Sequence, residues 1–218
     1  MGDRAAKNAL FDGFSGVAKA LANGRRVELV DVLAQGERSV DELAGEISQS
    51  VANTSFHLRT LAQAGLVSTR REGTRVYYRL ASDRVGDLWA AMRDVAAAHV
   101  SQLDVLAEAY LGDRSQLETI DHEELARRID DGSVVVIDVR NSTEYAAGHI
   151  RGARSIPIDE LAGRIDDVPD DVDVVAYCRG PYCVFADDAV RLLADHDRPA
   201  LRLEGGFPEW QAGRRPVS

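Results

Sequence analysis

VVAYCRGPYCVFADDAV, Val174 to Val190, is the stretch from which the second half of the chain is read. Val174 to Tyr177 is a short apolar run of the kind buried in a sheet, Cys178 to Cys183 is a tight loop with Gly180 and Pro181 in it, and a helical pattern follows. Both cysteines of the chain lie in that loop. A thiol where a strand turns into a helix meets unpaired backbone N–H groups and the positive end of the helix dipole, so the position is expected to favour a thiolate at Cys178 and anions beside it. A bridge between two cysteines so close in sequence closes too small a loop to restrain the chain. Reactivity is therefore the expected reason for the pair.

Strand-like runs at 134–139, 172–177 and 200–203 alternate with helical patterns near 159–165 and 184–195, which predicts a parallel sheet covered by helices. Asp121-x-x-Glu124 predicts a capped helix reaching about Ile129. DVRNSTEYAAGHIRGARSIPI (Asp138 to Ile158), the Cys178 loop and LEGGFPEWQAGRRPV (Leu203 to Val217) together resemble the rhodanese family. The resemblance implies an α/β domain in which Cys178 accepts sulfane sulfur as a persulfide. Arg179, Gly180, Tyr182 and Val184 would cradle that sulfur through their amides, Arg179 would steer an anionic donor, and Asp138 and Arg140 would support the pocket as an ion pair. The loop departs from the common pattern C-x-x-G-x-R-S, with glycine third and with Cys183 and Val184 in place of the arginine and serine. Efficient turnover of thiosulfate is not expected from such a loop, and the arginine of a Cys-x5-Arg phosphatase is missing. Cys183 is expected to resolve the sulfur on Cys178, giving an internal disulfide or polysulfide bridge.

The first half has a different texture. Helical spacing is predicted for residues 5–22, 25–34, a short segment opened by the capping box Ser39-x-x-Glu42, and a fourth capped by Ser50 and stopped at Gly65. In that fourth helix Val51, Thr54, Leu58 and Leu61 share an inner face, and Ala52, Asn53, Phe56, Arg59 and Gln63 point away. From Leu66 to Leu80 the period drops to two around Glu72-Gly73-Thr74, which predicts a hairpin with a basic tip. VAKALANGRRVELVDVL, HLRTLAQAGLV and RREGTRVYYRL, in this order, resemble the ArsR family of bacterial repressors. The resemblance implies a mainly α winged helix-turn-helix that binds double-stranded operator DNA as a homodimer. Asn53, Phe56 and Arg59 would reach base edges, Ser50, Ser55, His57 and Thr60 phosphates, and Arg70, Arg71 and Arg75 the backbone or minor groove. A single helix over 84–110 is expected, with Val85, Met92, His99 and Leu106 repeating every seven residues and Leu88, Val95, Leu103 and Tyr110 between them. The family's dimer helix matches this seam.

These readings give a DNA-binding and dimerisation domain at 1–111, a linker at 112–117 and a rhodanese-like domain at 118–218. The net charge of −10 is uneven: residues 1–80 carry 11 Lys+Arg against 9 Asp+Glu, net +2, and residues 50–80 carry 5 Arg against Glu72, net +4. A local basic face on an acidic protein is compatible with phosphate contacts. No secretory signal or membrane-length apolar run stands in the sequence, so a cytoplasmic location is expected. The third helix lacks cysteine and the expected dimer helix offers only His99, so neither a metal nor another cofactor is expected. The expected function is a transcriptional repressor that senses reactive sulfur or redox state through Cys178 and Cys183. A sulfurtransferase, or a thiol-dependent reductase such as an arsenate reductase, with an autoregulatory DNA-binding half is the alternative.

Overall fold

The structure, a computed structural model, describes residues 2–213 and 215–218; Met1 and Arg214, the latter within the C-terminal motif, lie outside the described residues. The chain divides into two compact units, Met1–Val95 and Ala96–Ser218. Residues 96–111, expected with the DNA-binding domain, thus group with the second unit.

The first unit opens with α1 (Arg4–Leu21) and α2 (Gly24–Leu33), followed by the two-residue strand β1 (Arg38–Ser39) and α3 (Val40–Glu46). The Ser39–Glu42 capping box forms as expected, each partner satisfying a backbone N–H at the other's end. Ser50 caps α4 (Val51–Gln63) by accepting from Asn53 N–H, and Gly65, at φ 73, supplies the left-handed stop. Thr54, Leu58 and Leu61 face inward as expected, against Leu29, Val30 and Leu43. Val51 does not: it is the first helical residue, beyond the edge of that core, and it is exposed. The hairpin of β2 (Val67–Glu72) and β3 (Arg75–Leu80) turns through Gly73-Thr74 with Glu72 opposite Arg75, and β1 adds to its free edge in the order β1-β3-β2.

The expected single helix at 84–110 is two helices, α5 (Asp83–His99) and α6 (Leu103–Leu111). The ladder breaks at Val100-Ser101-Gln102, three exposed residues of which the first two are modest helix formers. Burial does not offset their cost there. Val85 is buried and Met92 packs on the first core, but Leu88, Val95, Leu106 and Tyr110 of the expected seam are exposed.

In the second unit β4 (Thr119–Ile120), α7 (His122–Asp130), β5 (Val134–Asp138), α8 (Ser142–Ala147), β6 (Arg154–Ser155), α9 (Ile158–Leu161), β7 (Asp173–Tyr177), α10 (Phe185–Ala194), β8 (Ala200–Leu203) and α11 (Phe207–Ala212) follow in turn. The five strands form one parallel sheet in the order β4-β8-β7-β5-β6, as the alternating pattern predicts. Two apolar clusters flank it, one around Ile137, Val174, Ala189 and Leu193 and the other around Val136, Val175, Phe207 and Trp210. The helix expected at 159–165 shrinks to the single turn of α9 plus a 3-10 turn at Ile165–Asp167, because Gly163 and Arg164 interrupt it. Among the described residues no helix is long and apolar enough to cross a membrane.

Candidate functional site

β7 ends at Tyr177 and α10 begins at Phe185, which leaves Cys178–Val184 as the loop at the carboxyl edge of the sheet. Open parallel sheets place their sites at this edge. Cys178 is buried, 1% exposed, whereas Cys183 is partly accessible, and both are free thiols. The two side chains are within hydrogen-bonding reach of one another. Backbone N–H groups of Gly180 and Ala186 point at the Cys178 sulfur, and those of Arg179 and Phe185 at the Cys183 sulfur. The amides that reach the two sulfurs are thus those of Arg179, Gly180, Phe185 and Ala186. Of the other expected cradle residues, Tyr182 is exposed and Val184 is the N-cap of α10.

The electrostatics differ from the expectation for Cys178. Burial pushes its thiol well above the ordinary value, and the neighbouring sulfur adds to the rise. The hydrogen bond from Cys178 holds the Cys183 thiol below its ordinary value, together with the Arg179 and Phe185 amides. Of the two thiols, Cys183 is therefore the one that gives up its proton first.

Arg179 is neither an exposed arginine nor one free to capture an anion. Its Nε lies 2.7 Å from Oε1 of the fully buried Glu144, and its guanidinium stacks over Phe185 with 5.1 Å to the ring centroid. Glu144 also closes the capping box with Asn141 at the start of α8, so one carboxylate fixes both a helix end and the cysteine loop. Beneath the loop, Arg140 and Asp138 form a two-pronged ion pair with both side chains fully buried, Arg140 Nη2 lying 2.6 Å from Asp138 Oδ2. Tyr177 donates its hydroxyl to Asp138 Oδ2 at 2.5 Å and receives the Ile150 N–H at 3.1 Å; Arg140 also donates to the Gly148 carbonyl. The expected pair is joined, and with Tyr177 it binds the 148–150 turn to the sheet.

Gly206 closes the site from the C-terminal motif. A Cβ there would stand 2.3 Å from Gly180 N and 2.5 Å from the Cys178 carbonyl oxygen, both main-chain atoms, so only glycine fits. The next residue, Phe207, donates its N–H to that same carbonyl at 3.0 Å.

One residue with no signal in the sequence completes the arrangement. Arg114, in the short segment after α6, uses all three guanidinium nitrogens: Nε on Asp187 Oδ2 at 2.6 Å, Nη1 on the Pro181 carbonyl at 2.7 Å, and Nη2 on the Cys183 carbonyl at 3.1 Å. Asp187 is fully buried in the first turn of α10, where the helix dipole favours a carboxylate, and it also pairs with Arg202 at 2.6 Å.

In the first unit, Asn53, Phe56 and Arg59 lie on the exposed side of α4, as expected. Ser55 and His57 are half-buried, His57 against the Phe56 ring, and the Ser50 hydroxyl is engaged as the helix cap. Arg71 and Arg75 are exposed at the hairpin tip. Arg70 is held by Glu37 and Glu72 at 2.6 and 2.7 Å and lies over its cross-strand partner Tyr77.

A helical unit with a basic hairpin, joined to a parallel-sheet unit carrying a loop of two thiols, defines a winged-helix regulator with a rhodanese-like domain. The family model for arsR-family bacterial regulatory proteins matches residues 23–69, and that for rhodanese-like domains matches residues 121–213. The HTH-type transcriptional regulator Rv0324 of Mycobacterium tuberculosis is 47% identical over 211 residues, covering 97% of this chain and 92% of that protein. A sulfurtransferase of Allochromatium vinosum is 32% identical over 99 residues, 45% of this chain and 92% of that protein. Among solved structures, the homodimeric winged helix-turn-helix DNA-binding domain (fragment 1–100) of Mb0332 from Mycobacterium bovis is 46% identical, covers 45% of this chain and 90% of that one, and has a TM-score of 0.42. The chain belongs to the ArsR family of bacterial transcriptional regulators and carries a rhodanese-like domain in its second half.

Proposed function

We propose that this protein is a cytoplasmic homodimeric repressor that binds operator DNA through α4 and the β2–β3 hairpin and is released from it by reactive sulfur. The observation that carries the sensing is the pair of free thiols in an amide-lined loop, within hydrogen-bonding reach of one another. With a sulfane-sulfur donor R–S–SH, the Cys183 thiolate takes the Cys178 proton while Cys178 attacks the outer sulfur. The products are Cys178–S–SH, whose outer sulfur keeps the donor's hydrogen, and the thiol R–SH, once the thiolate leaving group takes up the Cys183 proton. Cys183, again a thiolate, then attacks the inner sulfur of Cys178 and expels sulfide, leaving a Cys178–Cys183 disulfide. The two electrons end on the released sulfide. Support for the dimer comes from the apolar side chains left exposed on α1 (Leu10, Phe11, Phe14) and α6 (Val105, Leu106, Tyr110).

Intact mass after exposure to polysulfide, thiosulfate, peroxide or arsenate tests the sensing. Additions of about 32 Da followed by a loss of two hydrogens are expected with polysulfide. No change in mass with any sulfane-sulfur donor contradicts it. The likeness of the second half to a sulfurtransferase favours a second reading, continuous turnover, which sustained release of sulfite from thiosulfate would establish.

On DNA, Arg59→Ala is expected to weaken specific binding by about 1–3 kcal/mol, as loss of a base contact does. Arg75→Ala is expected to lower affinity for all sequences alike and to flatten the salt slope by about one unit. Titrations at several salt concentrations separate the two. Arg70 is a weaker candidate in the free protein, but its exposed ion pairs are worth little and exchange readily for a phosphate.

A further inference from the structure

We propose that Arg114 is the residue through which the state of the Cys178–Cys183 pair is passed to α6. This rests on the sulfur-sensing reading above and assigns its transmission. The guanidinium is bound to the very carbonyls, Pro181 and Cys183, whose orientation a bridge between the two cysteines must change. The Cys183 carbonyl stands between the two groups: it accepts from Arg114 on one side and lies 3.8 Å from the Cys178 sulfur on the other. Sulfur added to Cys178, or a bridge from it, therefore changes what faces that carbonyl.

The segment that carries Arg114 has few other attachments. Arg191 of α10 donates to the Asp113 carbonyl at 2.9 Å, and Leu117 packs on the sheet's apolar cluster. α6 itself has no buried residue. With one end of α6 fixed chiefly through Arg114, the hold on that end depends on the geometry of the loop. Asp187 is not stranded when Arg114 lets go, because Arg202 remains within 2.6 Å of its other oxygen. The latch can therefore open without leaving a buried charge alone, which is what a reversible contact requires.

Arg114 does not touch either sulfur, so it is a positioning residue, and its variants are expected to keep the sulfur chemistry while losing the response. In the full-length protein, Arg114→Gln should give the same mass changes with polysulfide as the parent. The ratio of operator affinities before and after treatment, expected to be roughly 5- to 150-fold in the parent, should fall to near one. Arg114→Lys keeps the charge beside Asp187 but cannot reach both carbonyls, and should fold as the parent does without giving the full ratio. Hydrogen exchange over residues 103–117 should rise on treatment of the parent and should be high and unresponsive in Arg114→Gln. A full affinity ratio in Arg114→Gln, or exchange over 103–117 that ignores treatment of the parent, overturns the assignment. No mass change in the parent overturns instead the sulfur-sensing reading on which it rests.

Discussion

Cys178→Ser is expected to abolish sulfur labelling, whereas Cys183→Ser is expected to take up sulfur more slowly and to keep it. The asymmetry follows from the pair's geometry. Cys178 lies at the head of the loop, buried among amides that can hold the charge of an outer sulfur, but its proton must leave before it can attack. In the proposed mechanism Cys183, the more acidic of the two thiols, takes that proton and later displaces the sulfur. A serine at 183 removes both the base and the resolving nucleophile. Loading then slows and the persulfide persists. Time-resolved intact mass of the two single variants with polysulfide checks this. Labelling of Cys178→Ser at the parent's rate would move the acceptor to Cys183.

Arg140→Ala is expected to destabilise the second unit by about 3–5 kcal/mol, since it leaves the fully buried Asp138 carboxylate without its cation. For a domain of this size that corresponds to a fall of about 10–20 °C in melting temperature. The Tyr177 hydroxyl and the Arg140 backbone N–H still contact Asp138, so the site keeps part of its hydrogen bonding. The double variant Asp138→Leu/Arg140→Met should cost clearly less than the sum of its single changes, because no charge is left buried alone. The two tryptophans serve the two units separately, Trp89 in the first and Trp210 in the core of the second. In a Trp89→Phe background, Trp210 fluorescence during urea unfolding therefore reports the second unit. Additive single and double effects would contradict the view that the pair acts as one.

What the sequence made legible and what it hid divide along physical lines. The Ser39–Glu42 capping box, the period change at Leu66 and the β-branched run at Val134 are local patterns with local causes, and the structure repeats them at the expected positions. The break of α5 from α6 escaped because a seven-residue repeat continues through Val100-Ser101-Gln102 even though no burial supports the helix there. Glu144 carried no expectation at all, and its pairing with Arg179 is a contact across 35 positions. Arg114 left no trace at all. It stands in a polar, glycine-bearing segment of linker composition, and its three partners are gathered only by the fold. The relative acidity of the two thiols was hidden for the same reason, because it depends on burial and on which amides reach which sulfur.

Under the proposed function, sulfur on this thiol pair weakens DNA binding. Operator affinity at one fixed salt concentration, measured for reduced and for polysulfide-treated protein and reversed with dithiothreitol, tests it most directly. A fall of roughly 5- to 150-fold on treatment, restored by reduction and absent in Cys178→Ser, is the predicted result. Equal affinity before and after treatment, with the sulfur adduct present by mass, would contradict it.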